Sequence, residues 1–287
     1  MSLFTLILFS GLTMGAIYAL LGVGIVLIRN ATGILNLAAG DCFLIGAFLS
    51  ITLSRLHVPL AVIIITVLAV QAILGYGIDF ILERWMARAT LVIKLLGTVA
   101  IAVVLSGLEL LLWGRNPTTM ERYMPTNFDS GWLQSLDLQS ATLIAGAVIV
   151  GIALFLFLDR TSAGRAMRAA ATDSTGAAAS GVNVTFYRIS AFVLAGMIAG
   201  LGGLLAAPII LVDFTMGLGF ALLGLIAALI GGMTILGTLA AGLTLGAIEA
   251  LVTVYGSDVF RDAVVFALLI AYLLTAQGIT FLGEARK

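Results

Sequence analysis

The chain has 287 residues, of which 62% are hydrophobic and 10% are charged, and its 14 basic and 14 acidic residues cancel. This apolar share exceeds that of soluble domains and predicts an all-α, polytopic integral membrane protein, because long uncharged runs suit helices better than the short alternating strands of a barrel. The balanced charge gives no support to a nucleic-acid partner, and the single cysteine, Cys42, cannot form an internal disulfide.

The first apolar run extends from Ser2 to Ile28 and is followed by Arg29. It lacks the basic start of a cleavable signal peptide and is longer than the apolar region of one, so we expect a retained span. Gly11 and Gly15 are four residues apart, a spacing that lets a second helix approach closely. Arg29 indicates that this end of the span faces the cytosol.

The second apolar segment is unusual for a span because it contains Asn36, Gly40 and Asp41. An ionised carboxylate at the centre of a membrane helix costs about 2.5 to 3.5 kcal/mol on insertion scales. We therefore expect Asp41 to face protein, water or the interface, with the helix beginning near it.

The next segments alternate between apolar runs and polar loops. The loop after Ile78 carries a basic excess, whereas the loop at residues 115–137 carries none, which predicts an extracytoplasmic position for the second loop. Between these loops, the span from Leu95 to Trp113 contains Glu109 near its far end.

The central polar segment at residues 160–188 carries four arginines against Asp173 alone. Uncharged runs of spanning length lie on both sides, so this segment is predicted to be a cytoplasmic loop. Its TSAGRAMRAAA stretch predicts a short helix on which Arg165 and Arg168, as i,i+3 neighbours, project from one side. The residues alone fit two interpretations equally well: a docking helix for a cytosolic protein, and an ordinary loop of the positive-inside kind.

The C-terminal half contains a glycine-rich span from Ile189 to Val212 and then 35 uncharged residues from Phe214 to Ile248. This second run is too long for one ordinary helix and short for two, and the doublet Gly231 and Gly232 interrupts it. We expect a short or re-entrant helix followed by a full span, and eight or nine crossings within a single transmembrane domain, 1–287. If the short helix crosses, the N-terminus lies outside and the C-terminus inside.

Chemical motifs give little support to an enzyme. The sequence contains no HExxH, GxSxG or P-loop motif and no Cys/His cluster with metal-ligand spacing, so we predict no catalytic or metal-binding residues. It also lacks the row of buried carboxylates and histidines typical of a proton-coupled carrier. We expect energy from another subunit, with a stand-alone ion-coupled carrier or channel as the alternative class and a membrane enzyme as a more distant one.

At the central segment the sequence resembles the membrane permeases of branched-chain amino acid ATP-binding-cassette (ABC) importers. That family has the pattern GxAxRA…A…D…AA…GIN there, and the resemblance implies that this segment couples to the ATPase. The coupling residues that it implies are Gly164, Arg165, Ala166, Arg168, Ala169, Asp173 and Gly181. The opening segment around Tyr18, the glycine-rich segment around Glu249 and the FRDAVVFALLIAYLL stretch are also similar to the family.

The resemblance implies a multi-pass protein of the bacterial cytoplasmic (inner) membrane that takes up branched-chain amino acids by alternating access. Its partners would be a second related permease, giving a heterodimer, two cytosolic ATPases and an extracytoplasmic solute-binding protein. ATP and Mg²⁺ would be used by the ATPases, with no cofactor on this chain. Ala39, Thr275 and Ala276 depart from the family pattern, so urea, amides and aromatic or other carboxylates stay alternative solutes.

A translocation path between the two permeases is also implied by the resemblance. The candidates for it on this chain are Asn36, Gly40, Asp41, Gly231 and Gly232. Helix capping and packing are competing explanations for Asn36 and Asp41.

Overall fold

The fold is a bundle of α-helices. The computed structural model describes residues 3–86, 89–123, 137–256, 265–270, 272 and 274. Ten helices are delimited in these ranges: α1 (Leu3–Thr32), α2 (Ala39–Arg55), α3 (Leu60–Met86), α4 (Leu91–Trp113), α5 (Leu138–Arg160), α6 (Ser162–Thr172), α7 (Ser174–Ala179), α8 (Val184–Ala206), α9 (Gly217–Ile230) and α10 (Ile235–Tyr255). Residues 265–270 are also helical, and the described ranges contain no sheet beyond an isolated bridge between Thr118 and Val212. The all-α prediction is confirmed.

Six helices of the described part, α1, α3, α4, α5, α8 and α10, are long and apolar enough to cross a membrane. The chain is therefore a multi-pass membrane protein. With 17 and 14 residues, α2 and α9 are shorter. Most of the predicted extracytoplasmic loop at 115–137 and most of the last predicted span lie outside the described residues. The number of crossings stays a prediction.

Helix α1 forms the centre of the bundle, with Ile17, Tyr18 and Leu20 fully buried. Its glycines allow α10 to pack directly against its backbone: a Cβ at Gly15 would lie 2.6 Å from the carbonyl oxygen of Gly242. The predicted close approach of a second helix at Gly11 and Gly15 is thus confirmed. By contrast, α3, α4 and α5 present apolar side chains outward, as lipid-facing helices do.

The bundle has one strongly basic end, which carries Arg29, Arg84 and Arg160 at the last turns of α1, α3 and α5. We call it the basic end. The opposite end is marked by Trp113, whose indole N–H donates to the hydroxyl of Thr52 at 2.7 Å. Because Thr98 also bonds to the backbone of Leu37, α2 and α4 run side by side in the same direction.

The short helix α9 begins inside the bundle rather than at its surface. The hydroxyl of Ser106 donates to the carbonyl of Phe214 at 2.8 Å, and Ser106 lies seven residues before the end of α4, or about 10 Å at 1.5 Å per residue. From there α9 runs to the basic end, where Gly231 and Gly232 terminate it, and α10 returns antiparallel to α1. The predicted break at the glycine doublet is confirmed.

Candidate functional site

Residues 160–188, which we call the docking segment, form α6, α7 and the start of α8, and a polar side chain caps each of these helices. The hydroxyl of Thr161 accepts from the backbone N–H of Gly164 at 3.0 Å, and the side chain of Asn183 accepts from that of Phe186 at 3.0 Å. Such caps satisfy backbone donors that the first helical turn leaves free. The segment therefore has a defined shape.

Asp173 separates α6 from α7 and caps α7. Its carboxylate accepts from the N–H groups of Gly176, at 3.0 Å, and Thr175, at 3.1 Å, and from the hydroxyl of Thr175. These hydrogen bonds, chiefly the one from Gly176, favour the ionised form and hold the pKa of Asp173 below its usual value. Gly181 follows α7 with a φ of +83°, a left-handed conformation that favours glycine.

One face of α6 packs on the bundle. Gly164, Met167 and Ala170, spaced three apart, are buried on this face. A Cβ at Gly164 would overlap the backbone of Leu158, so only glycine lets α6 approach the end of α5 this closely. The face directed away from the bundle carries Ser162, Arg165 and Ala169, all exposed, and it offers small residues around one cation to a partner.

The two arginines of α6, which the sequence treats alike, have different surroundings. Arg168 forms an ion pair with Asp159 at 2.5 Å and donates to the carbonyl of Leu158 at 2.8 Å, which fastens α6 to the end of α5. Arg165 is exposed and forms no ion pair within the described residues. Arg165 is therefore the side chain of this pair that is available to a partner.

Arg188, the last arginine of the segment, also has a structural role. Its guanidinium donates to both oxygens of Asp79, at 2.8 and 3.3 Å, and approaches Glu83 at 2.9 Å. The side chain of Asp79 is only 4% exposed. This bidentate arrangement joins the start of α8 to the end of α3 and neutralises a buried carboxylate.

The candidate path residues fall into two groups, both adjacent to α9. Asn36 accepts from the backbone N–H of Ala38 at 3.1 Å and so forms a turn just before α2. Gly40 lies against the carbonyl of Gly217, and Asp41 lies against Gly217 itself, so this group contacts the beginning of α9. All three are buried.

The second group lies about 20 Å away, since the 14 residues of α9 separate the two. Gly231 packs against the backbone of Gly237 and Thr238, and Gly232, with a φ of +65°, makes the turn into α10. The structure thus places the five residues at the two ends of α9.

A cavity of about 820 Å³ opens at the basic end between the ends of α1 and α5, the start of α4, α6 and the turn from α9 to α10. Among its lining residues are Arg29, Asn30, Leu91, Asp159, Arg168 and Thr234. Arg29 and Arg168 share this cavity, so the arginine-rich ends lie on one side, as the charge pattern predicts. The cavity itself has no signature in the sequence because its walls come from five distant segments.

A buried polar cluster lies near the start of α9 and includes residues to which the sequence analysis gave no role. Asp41, Glu109 and Gln71 are 1%, 0% and 0% exposed. The amide nitrogen of Gln71 donates to the carbonyl of Cys42 at 2.6 Å. Among the described residues, one oxygen of Asp41, both of Glu109 and the amide oxygen of Gln71 have no hydrogen-bond partner. Carboxylates placed within long apolar runs are the available signal for such a cluster.

Comparison with known proteins agrees with this architecture. Residues 7–273 match the family described as branched-chain amino acid transport system / permease component. The chain is 26% identical over 286 residues to the high-affinity branched-chain amino acid transport system permease protein LivH of Escherichia coli, covering 93% of this chain and 92% of that protein.

Two further relatives have similar coverage. The chain is 29% identical over 287 residues to the permease protein BraD of Pseudomonas aeruginosa, with 93% and 92% of the two chains covered. It is 28% identical over 278 residues to a probable branched-chain amino acid transport permease protein of Methanocaldococcus jannaschii, with 91% and 87% covered. No solved structure gives a significant match. Because the match extends over nearly the whole chain, the protein belongs to the family of permease components of branched-chain amino acid transport systems.

Proposed function

We propose that this protein is a permease subunit of an ABC importer that moves branched-chain or related amino acids into the cell by alternating access. The observation that carries this proposal is the family match over residues 7–273, together with the names of relatives that align with more than nine-tenths of the chain. ATP and Mg²⁺ are used by partner ATPases.

The proposed protein crosses the cytoplasmic membrane nine times. Helices α1 to α5 and α8 to α10 contribute eight crossings, and the helix that includes residues 265–270 contributes the ninth. Since basic residues next to spans favour the cytosol, the basic end faces inward and the chain starts outside. Helix α9 runs from the interior to the basic end, and this direction supports a membrane crossing rather than a re-entrant helix.

The docking segment fits a cytosolic ATPase through the outer face of α6. Arg165 would enter an acidic recess, where Ala166 and Ala169 permit close contact, while Gly164, Asp173 and Gly181 fix the shape. Arg168 would act within the permease, since its bonds to Asp159 and Leu158 fasten α6 to a membrane helix. A movement of the ATPase would thereby reach α5 as a rigid displacement.

The translocation path would lie beside α9, between this chain and a second related permease, with a solute-binding protein docking on the side of residues 115–137. Glycines occupy both ends of α9, at Gly40 and Gly217 and at Gly231 and Gly232. Backbone contact without intervening side chains lets a short helix tilt or slide. We therefore assign α9 as the moving element.

Reversing the charge at Arg165 tests the coupling. With the permease assembled with its ATPases in vesicles, Arg165→Glu is expected to reduce ATP-dependent leucine uptake at least tenfold, since an interfacial like-charge contact costs several kcal/mol. Arg165→Lys, which keeps the charge, serves as the matched control, and immunoblotting of the membranes checks insertion. Normal uptake by Arg165→Glu would refute docking through this residue. Uptake by the purified chain alone, driven by an ion gradient, would support the ion-coupled alternative instead.

A further inference from the structure

Two buried acids lie on the neighbouring helices α2 and α4, in the half of the bundle away from the basic end. Asp41 lies in the first turn of α2 and Glu109 lies one turn before the end of α4. They are 1% and 0% exposed, and the two helices that carry them contact each other. Two negative charges in such a place would repel each other and lose their hydration.

No cation compensates them in the described part of the chain. Neither carboxyl forms an ion pair there, and three of their four oxygens lack a hydrogen-bond donor. The amide nitrogen of Gln71 on α3, which is also buried, donates to the carbonyl of Cys42 instead.

The helices around the two acids bring no further charge to this level. Helices α8 and α9 meet α2 through glycines, Gly203 and Gly217. The charged residues on α1, α3 and α8 and the one lysine on α4 all lie near the basic end, and Arg55 of α2 lies at the far end of its helix. The described residues of these helices therefore bring no cation to either acid.

A metal ion does not fit this composition, since the described residues contain no group of three or more acidic, histidine or cysteine ligands that could hold one. Protons need no such ligand set. We propose that Asp41 and Glu109 form a proton-binding site in which both carboxyls are neutral while α2, α4 and α9 are packed together. Separation of these helices admits water, and the site then releases its protons.

The position of the site connects proton release to a movement of α9. A Cβ at Gly217 would touch the carboxyl of Asp41, so the first residue of α9 covers the acid directly. Ser106, one turn before Glu109, holds the carbonyl of Phe214 just ahead of α9. A displacement of the start of α9 exposes the two acids to water. Bound protons therefore favour the packed position of α9, and loss of the protons favours the displaced one.

Infrared spectroscopy of the purified full chain in lipid nanodiscs, without partner subunits, tests the site. At neutral pH the wild type should show the carbonyl stretch of protonated carboxyl groups, and Asp41→Asn and Glu109→Gln should each remove one component. Asp79→Asn is the matched control, because that buried acid is paired with Arg188 at 2.8 Å, and a neighbouring guanidinium favours the ionised form of a carboxyl group. It should remove no such component.

Melting temperature as a function of pH provides the second measurement. An amide resembles a neutral acid in shape and needs no proton, so the double variant with Asp41→Asn and Glu109→Gln should melt like the wild type below the ordinary carboxyl pKa values of about 4. At neutral pH it should melt at a higher temperature than the wild type. The native wild type holds protons that the unfolded chain has released, so its stability falls as pH rises, and the double variant should lose that part of the fall. An unchanged infrared spectrum, or a large drop in melting temperature at neutral pH, would show that the acids are ionised. Both measurements are independent of ATPase coupling, so they stand or fall apart from the importer proposal.

Discussion

Two regions of this bundle that bury acids surround them with different partners. At the basic end, Asp79 is held by two hydrogen bonds from Arg188, and Glu83 lies beside the same guanidinium. Near the start of α9, Asp41 and Glu109 are buried as deeply and have no cation within the described residues. The role of a buried acid therefore depends on whether a cation is paired with it, and burial alone does not determine that role.

The two regions also differ in how firmly they are joined. Breaking the contact between α3 and α8 would strand a charge, which makes this joint resistant to movement. The helices α2, α4 and α9 meet through glycine contacts and a hydrogen bond from Ser106 to the carbonyl of Phe214, and the acid oxygens there have no partner among the described residues. Separating these helices therefore leaves no unpaired charge behind while the acids are protonated. We interpret the first joint as the fixed part of the permease and the second as the part that moves.

The largest expected effect comes from removing the cation of the fixed joint. Arg188→Ala leaves Asp79 buried and unpaired, which should destabilise the protein by about 3 to 5 kcal/mol, measured by reversible denaturation in mixed micelles. Arg168→Ala is the matched control, because its ion pair with Asp159 is about 40% exposed on both sides and should contribute no more than about 1 kcal/mol.

A second substitution tests whether the unpaired charge of Asp79 causes this loss of stability. Adding Asp79→Asn to Arg188→Ala removes the stranded charge and should recover part of the loss. Equal destabilisation by Arg188→Ala and Arg168→Ala would contradict the difference between the fixed joint and an ordinary surface pair.

An intermediate effect is expected at the glycine contacts of the moving joint. Gly40→Ala places a Cβ against the carbonyl of Gly217, where backbone atoms must shift, and overpacking of this kind costs about 1 to 3 kcal/mol. Gly77→Ala in α3 is the matched control, since its Cβ would meet no atom within 4 Å and alanine favours a helix by up to about 1 kcal/mol. Thermal unfolding of both variants should therefore shift in opposite directions, and a shared direction would contradict the contact.

Much of this fold follows from local sequence. Apolar runs bounded by Arg29 and Arg160 gave correct helices, the doublet Gly231 and Gly232 located the end of α9, and TSAGRAMRAAA formed the expected short helix. These features depend on neighbours within a few turns. The membrane interior also has no water to hydrogen-bond unpaired backbone groups, so an apolar run there has few alternatives to a helix.

Features that depend on distant contacts could not be predicted in this way. Arg165 and Arg168 look equivalent in sequence, and only the crossing of α6 over the end of α5 separates them. Gln71 reads as one polar residue in an apolar run, yet it reaches the backbone of α2. The pair of Arg188 and Asp79 spans 109 residues. Such contacts are decided by helix packing, which a hydrophobic pattern does not specify.

The smallest expected effect concerns an acid of a third kind, the exposed Asp173 of the docking segment. Its pKa is lowered in the folded state, chiefly by the N–H of Gly176, so its contribution to α7 is present above the ordinary Asp value of about 3.9 and is lost as pH falls through the lower, folded value. Protection of the Thr175 and Gly176 amides from hydrogen exchange, corrected for the intrinsic rate, should follow this course. Asp173→Asn keeps an acceptor that does not titrate, so its protection should be independent of pH over the same range. The same acid-induced loss of protection in both proteins would show that α7 depends on a titrating group other than the Asp173 cap.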